Sequence, residues 1–235
     1  MHRLGFDPDK DMPRLIERLH NQNALIPKSV FSHLAGADAD EFDAFSQSQF
    51  ERFDAGSKML QAAFEHHILR HIDNSAGIEH FPQRQLDMCR LGLGLYGINP
   101  RNNAIINNVS TLRTTILQMR EVKAGDTVGY SRRGTIEHNS VIAAIPIGYA
   151  DGLNRKLGNR NGYCLVNNQP AQYVGNICMD VAMIDVTGID CHEGDSVEIF
   201  GDNLPVTELS NVLQTIPYEV LTGISNRVNR VYFQD

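Results

Sequence analysis

No apolar stretch in these 235 residues approaches the roughly 18 that a membrane-spanning helix needs. Met1 to Phe6 carries no apolar signal-peptide core, so no secretory leader is expected. Positive charge is in deficit. Lys and Arg number 21 against 28 Asp and Glu, a formal charge of −7. That balance argues against generic nucleic-acid binding, which wants a basic surface. Cys89, Cys164, Cys178 and Cys191 form no C-x-x-C pair, which argues against a disulfide framework or a zinc site. Reduced thiols in the cytoplasm are the simple reading, and no metal site is expected. No internal repeat or low-complexity tract interrupts the chain. With 42% hydrophobic and 21% charged residues, it has a globular balance.

The first 100 residues or so alternate helix and strand patterns. Met1–Phe6 reads as the end of a strand and its turn. Residues 9–22 read as a helix, with Pro13 in the first turn and Leu15, Ile16 and Leu19 at helical spacing. Residues 30–34 read as a short buried strand. Asp38 and Asp40 are candidate N-caps for a helix that groups Phe42, Phe45 and Phe53. A further helix is expected at 57–67, then strands at 66–73 and 87–91. The rhythm changes near Pro100. Strands are expected at 109–122, 126–130, 140–149, 163–167, 172–178, 180–187 and 195–200, with glycines between them. A helix is expected at 207–215 with Thr207 as N-cap, a second near Tyr218, and a closing strand at 228–233.

This divides the chain into an α/β part, 1–103, and a mostly antiparallel β domain, 104–235. A closed (β/α)8 barrel takes about 250 residues. Three or four βα units in about 100 residues make either a small open α/β domain or the second half of a barrel. Arg3, His33, Ser75 and Arg90 fall at or near the C-terminal ends of expected parallel strands, the edge where such folds bind ligands. Each alone has a bland reading: a surface arginine, a hydrogen-bonded histidine, a helix cap. Gly92-Leu93-Gly94 after Arg90 is a turn whose N–H groups can cradle a phosphate, though a lone G-x-G is weak evidence. Tyr130 and Tyr149 fall at strand ends, where ordinary amphipathic tyrosines also fall.

In combination, these segments resemble alanine racemase. The stretches are MHRLGF (1–6), FSHLAGAD (31–38), NSAG (74–77), DMCRLGLGLYGINP (87–100) and VGYS (128–131). IPIGYADGLNR (145–155), VGNICMDVAMIDV (174–186) and IPYEVLTGISNRVNRVY (216–232) follow in the same order. The resemblance implies the second half of a (β/α)8 barrel that binds pyridoxal phosphate, followed by the antiparallel domain. It implies a cytoplasmic homodimer acting on alanine to supply D-alanine for peptidoglycan, each site shared between two chains. Arg90 is similar to the arginine facing the pyridine nitrogen. Ser75, Gly92, Leu93 and Tyr218 resemble the phosphate cup. Arg3, Met179 and Tyr149 resemble substrate-side groups. Tyr130 resembles the catalytic tyrosine, and His33 the histidine linking it to Arg90.

The lysine that holds the cofactor as a Schiff base in this family precedes the MHRLGF stretch. Lys10, Lys28, Lys58, Lys123 and Lys156 match no such motif. The chain therefore reads as the C-terminal two-thirds of a racemase, inactive alone. The alternative is a non-catalytic half-barrel and β module that dimerises or complements an N-terminal piece. Relatives that decarboxylate basic amino acids share this architecture, but the GYADG and ICMD stretches favour the racemase.

Overall fold

The computed structural model describes residues 1–233. The last two residues of the expected β domain, Gln234 and Asp235, lie outside them. The chain divides into two units, Met1–Asn107 and Asn108–Asp235.

The first unit is α/β. Helix α1 (Met12–His20) has Pro13 in its first turn, and Arg18 and His20 in its last, where cations suit the helix dipole. Met12 is buried, and Leu15, Ile16 and Leu19 pack with Leu60, Ile68 and Phe64. Strands β1 (Ser29–Phe31) and β2 (Leu69–His71) pair in parallel with Val30 opposite Arg70. Between them runs one unbroken helix, α2 (Asp43–Ala62), where two helices were expected. Phe53 and Leu60, two turns apart, bury its inner face, and the polar stretch between them stays helical. Helix α3 (Ser75–His80) follows β2. A core of Leu34, Ala37, Phe53, Ile72, Ala76 and Phe81 lies between these elements.

Four expectations for this unit need correction. Met1–Phe6 forms bends, not a strand, and Leu4 is 96% exposed. Among the described residues no strand pairs with that segment, so it lacks a ladder. Neither Asp38 nor Asp40 caps α2, which follows a single 3-10 turn at Asp40–Phe42. Phe42 and Phe45 are exposed, and only Phe53 of the three joins the core. Residues 87–91 form no strand, and Asp87 belongs to a turn. The Asp87 and Arg90 N–H groups donate to the carbonyls of Arg70 and Asp73 (3.1 and 3.0 Å). The Arg70 N–H, however, goes to the Asp87 carboxylate (2.8 Å), so a side chain replaces the next rung of the ladder.

The second unit is built from antiparallel pairs. β4 (Gln118–Val122), β7 (Ser140–Ile145) and β10 (Ala182–Asp185) form one sheet with β7 central. β3 (Leu112–Thr115), β11 (Ser196–Phe200), β8 (Tyr163–Val166) and β9 (Gln169–Gln172) form another, in that order. β5 (Thr127–Val128) and β6 (Gly134–Thr135) make a short hairpin. β8 and β9 join through Asn167 and Asn168, both at positive φ, the geometry of a tight two-residue hairpin. In β11, Glu198 is buried but satisfied. Its carboxylate accepts the Asn203 and Leu204 N–H groups (2.9 and 3.3 Å) and faces Arg113 (3.3 Å). Helices α4 (Val206–Leu213) and α5 (Pro217–Gly223) complete the unit.

Here too some expectations shift. Pro205, not Thr207, stands at the N-cap of α4. Of 172–178, only the first two residues show sheet character: Gln172 ends β9 and Tyr173 makes a single bridge to Ile184. The rest is a loop tied down residue by residue. Residues 228–233 form no strand. Arg230 instead donates to the carbonyls of Ile224, Ser225 and Val228, folding that segment back on itself.

Candidate functional site

The expected residues fall into two sets, one in each unit. In the first unit, Ser75 begins α3, capped by Asn74, whose Oδ1 accepts the Gly77 N–H (3.0 Å). The Ser75 Oγ accepts the Gly92 N–H (2.7 Å) and the Gly94 N–H (3.3 Å). Leu93 opens the 3-10 turn Leu93–Tyr96 between these two donors, so two backbone N–H groups meet at one hydroxyl at the start of the turn. Arg90 stands at the head of this turn. Its Nη2 donates to the carbonyls of Ser32 (2.6 Å) and Ile72 (2.9 Å), and its guanidinium lies 5.0 Å above the Phe31 ring. Its Nε is buried and has no partner among the described residues. Burial lowers the Arg90 pKa, opposed by the charge of Asp73.

His33 lies two residues past β1. The Asn74 amide donates both to the Leu34 carbonyl and to His33 Nε2 (3.2 Å each). With Asn74 Oδ1 already committed to Gly77, His33 Nε2 is an acceptor, which makes this the neutral ring protonated at Nδ1. Burial, then the charges of Arg90 and Arg3, lower its pKa in the same sense. Arg3 itself sits exposed in a bend. The first unit thus brings His33, Ser75, Arg90, Gly92 and Leu93 together, with the Arg3 charge in electrostatic reach of His33.

In the second unit, Tyr130 is 73% exposed. Three of its neighbours, Gly129, Ser131 and Arg132, have positive φ (79°, 58° and 52°). Two of these are not glycine, a strained backbone of the kind that collects at functional sites. Asn176 Nδ2 donates to the Tyr130 carbonyl (3.2 Å) and ties it to the 174–180 loop. Met179 is in that loop. The turn bearing Tyr149 lies directly on it: the N–H groups of Tyr149 and Ala150 donate to the carbonyls of Cys178 and Met179 (3.0 Å each). A Cβ on Gly148 would fall 2.2 Å from the Met179 carbonyl oxygen, so this approach needs glycine. Tyr218, on α5, is half-buried, and the end of α5 meets the same turn where the Ser225 N–H donates to the Asp151 carbonyl (2.9 Å).

Sequence reasoning assigned no role to the ion pairs that hold this second set. Arg227 reaches Asp151 through Nε and Asp180 through Nη2, at 2.6 Å each. These hydrogen bonds raise the Arg227 pKa further. Asp151 also accepts the Gly148 N–H (2.8 Å). One arginine so pins the Tyr149 turn to the Met179 loop. All three residues fall inside the stretches that carry the resemblance, the one signal that marked them.

The family model described as "Alanine racemase, C-terminal domain" matches residues 109–232, and "Alanine racemase, N-terminal domain" matches 1–100. The chain belongs to the alanine racemase family. It is 36% identical to the alanine racemase of Helicobacter acinonychis over 246 residues, covering 99% of this chain and 65% of that protein. With the Clostridium tetani alanine racemase it shares 36% over 245 residues, 100% of this chain and 63% of the other. Among solved structures, the Bartonella henselae alanine racemase with covalently bound pyridoxal phosphate matches with a TM-score of 0.84 and 31% identity, over 99% of this chain and 64% of that one. The Bacillus anthracis alanine racemase with bound L-Ala-P matches with a TM-score of 0.91 and 27% identity, over 100% and 62%. The chain thus spans just under two thirds of the length of these relatives. Its architecture is that of the family: part of the alanine racemase barrel domain, then the antiparallel β domain. Alanine racemases are pyridoxal-phosphate isomerases. Among the described residues no helix is long and apolar enough to cross a membrane.

Proposed function

We propose that this chain supplies most of the active-site surface of an alanine racemase that interconverts L- and D-alanine and so provides D-alanine for peptidoglycan. The observation that carries the reading is the buried, unpartnered Nε–H of Arg90. A buried donor without an acceptor is costly unless a ligand completes it. An unprotonated pyridine nitrogen is such an acceptor. The Gly92 and Gly94 N–H groups that meet at the Ser75 hydroxyl, in the turn that Leu93 opens, suit the phosphate end. These residues fit pyridoxal phosphate at both of its polar ends, and bound there it would supply the electron sink for loss of the alanine α-proton.

The roles of the chain's own groups follow. Arg90 does not readily give up its proton, so a ring nitrogen held against it would stay unprotonated, which would moderate the electron sink and suppress side reactions such as transamination. Arg3 and the Met179 N–H hold the substrate carboxylate, and Tyr149 stands at the mouth. Racemisation removes a proton from one face of Cα and returns one to the other, so it needs two bases. Tyr130 is one, helped by His33, with Arg90 beyond. Tyr130, Met179 and Tyr149 of one protomer complete the site of its partner in a head-to-tail homodimer. Free Cys89, Cys164, Cys178 and Cys191 suit the reducing cytoplasm.

The lysine that anchors the cofactor is the exception. All five lysines of this chain are exposed, and none is buried beside Arg90. By itself the 235-residue polypeptide is therefore inactive in our reading. The second reading, a non-catalytic module that dimerises or complements a lysine-bearing piece, draws on the same observation and on the lone β1–β2 pair with its exposed Phe31 and Leu69.

Titration of the purified chain with pyridoxal phosphate, borohydride trapping and mass spectrometry tests this. No covalent pyridoxyl adduct at a defined lysine is expected. A single stoichiometric adduct together with alanine racemisation would overturn the claim of inactivity. In an enzyme completed by the lysine, Tyr130→Phe is expected to abolish α-proton exchange in one direction. Unchanged exchange in both directions would remove Tyr130 as a base.

A further inference from the structure

The second unit holds a cavity of about 400 Å³. That is near the small end of the range for ligand pockets, roughly 300–1,000 Å³. Its walls come from β3, β11, α4, α5 and the 149–157 segment. Ile199 and Phe200 of β11, Leu209 and Leu213 of α4, and Val220 of α5 make its apolar lining, all 8% exposed or less. Packed cores rarely leave openings larger than a water molecule, so a gap among such side chains suits an apolar occupant. The polar lining is of another kind. Arg155 and Glu219 are exposed, and Thr215 is half-buried. The Thr215 hydroxyl donates to Glu219 Oε2, and Oε1 has no partner among the described residues. Arg155 opens the 3-10 turn Arg155–Leu157, which Asn154 caps by accepting the Lys156 N–H (3.0 Å). Among the described residues its guanidinium makes no hydrogen bond, and no ion pair joins it to Glu219. Two opposite charges line one cavity without meeting.

We propose that this cavity binds an α-amino acid with a large apolar side chain. The side chain packs on the apolar lining, the α-carboxylate takes the N–H fork of Arg155, and the ammonium goes to Glu219. A guanidinium matches a carboxylate with two parallel hydrogen bonds, and the free oxygen of Glu219 accepts from an ammonium. A simple carboxylic acid would use Arg155 and leave Glu219 against an apolar chain. An amine would do the reverse. Only the zwitterion answers both charges at once. Size selects within that class: a methyl side chain leaves most of the lining uncovered, while an aromatic ring covers it and meets the ring of Phe200. Of the residues given roles above, Tyr149 alone lines the cavity; Tyr130, Met179 and Tyr218 do not. The site is therefore separate from the proposed substrate site and shares one turn with it. It stands without the cofactor reading.

Titration of the 235-residue chain with L-phenylalanine, followed by calorimetry and methyl NMR, tests this. Saturable binding is expected, with shifts at the methyl groups of Ile199, Leu209, Leu213 and Val220. Two analogues divide the claim. 3-Phenylpropionate lacks the ammonium and phenethylamine lacks the carboxylate, and each should bind on the order of ten-fold more weakly. Arg155→Gln and Glu219→Gln change exposed side chains, so neither is expected to disturb the fold. Each should weaken L-phenylalanine by a similar factor. Arg155→Gln should leave phenethylamine unaffected, and Glu219→Gln should leave 3-phenylpropionate unaffected, a crossed pattern that general damage to the fold cannot produce. If 3-phenylpropionate binds as tightly as L-phenylalanine, the pocket takes simple acids and the amino-acid assignment fails. Absence of saturable binding, or methyl shifts that fall outside the cavity, overturns the site itself.

Discussion

Ser75→Ala probes the join between the fold and the proposed phosphate cup. The Ser75 Oγ is a buried acceptor for two backbone N–H groups, at 2.7 Å from Gly92 and 3.3 Å from Gly94. Alanine keeps the helix start, because Asn74 and not Ser75 caps α3. It removes only the acceptor. An unsatisfied buried donor costs about 1–3 kcal/mol. The Gly94 bond is long, and both glycines are partly exposed, so water offsets much of the second loss. The expected cost is about 1–2 kcal/mol, nearly all from Gly92. For a chain of this size, that lowers the melting temperature by roughly 2–8 °C, read by far-ultraviolet circular dichroism. Inorganic phosphate should restore part of the loss in the variant, since the freed N–H groups then have an anion to meet. A variant as stable as wild type would refute the claim that these donors depend on the hydroxyl. A destabilised variant that ignores phosphate would leave the turn as a fold element and refute its reading as an anion cup.

Other consequences are as direct. Gly148→Ala forces a Cβ to within 2.2 Å of the Met179 carbonyl and should cost about 1–3 kcal/mol in urea denaturation; wild-type stability would show that the turn is not held this closely. Arg227→Ala unlinks Asp151 from Asp180, and faster hydrogen exchange at the Tyr149 and Ala150 amides is expected, with unchanged protection counting against the fork. Burial and the Arg90 charge lower the pKa of His71, as they do for His33, from the ordinary 6.5. The folded state then binds fewer protons than the unfolded one near that pH. Their contribution is complete above about 6.5 and is lost as pH falls through the lowered folded values. Replacing both histidines by asparagine should flatten that loss in an Asp73→Asn background, because Asp73, with its raised pKa, acts in the opposite sense; a slope that survives would refute it.

The order of the two units was legible because strand patterns with helices between them give way, near Pro100, to strands with glycine turns and few helices. The candidate site residues were legible only through their setting in ordered stretches. Nothing in the spacing of Tyr130 distinguishes it from an amphipathic strand tyrosine; its peculiarity lies in the φ angles of Ser131 and Arg132, which no propensity encodes. Asp87 misleads for a similar reason: its side chain takes over a bond that pattern reading assigns to backbone. The N-terminal six residues read as a strand because alternation reports what a partner would pair with, and no strand among the described residues is that partner. Asp73 looked like a strand terminus, and its burial without a hydrogen-bond partner among the described residues follows from the tertiary packing around it. Arg227 and Asp180 are far apart in sequence, so no local reading could join them.

The strained turn beside Tyr130 carries a consequence for engineering. Ser131 holds a left-handed conformation that costs a residue with a Cβ about 1–2 kcal/mol and glycine nearly nothing. A library screened for heat tolerance would therefore enrich glycine there, loosening the turn that presents Tyr130. With Tyr130 in its proposed role in an enzyme completed by the lysine, selection for robustness and selection for turnover would pull this short segment in opposite directions.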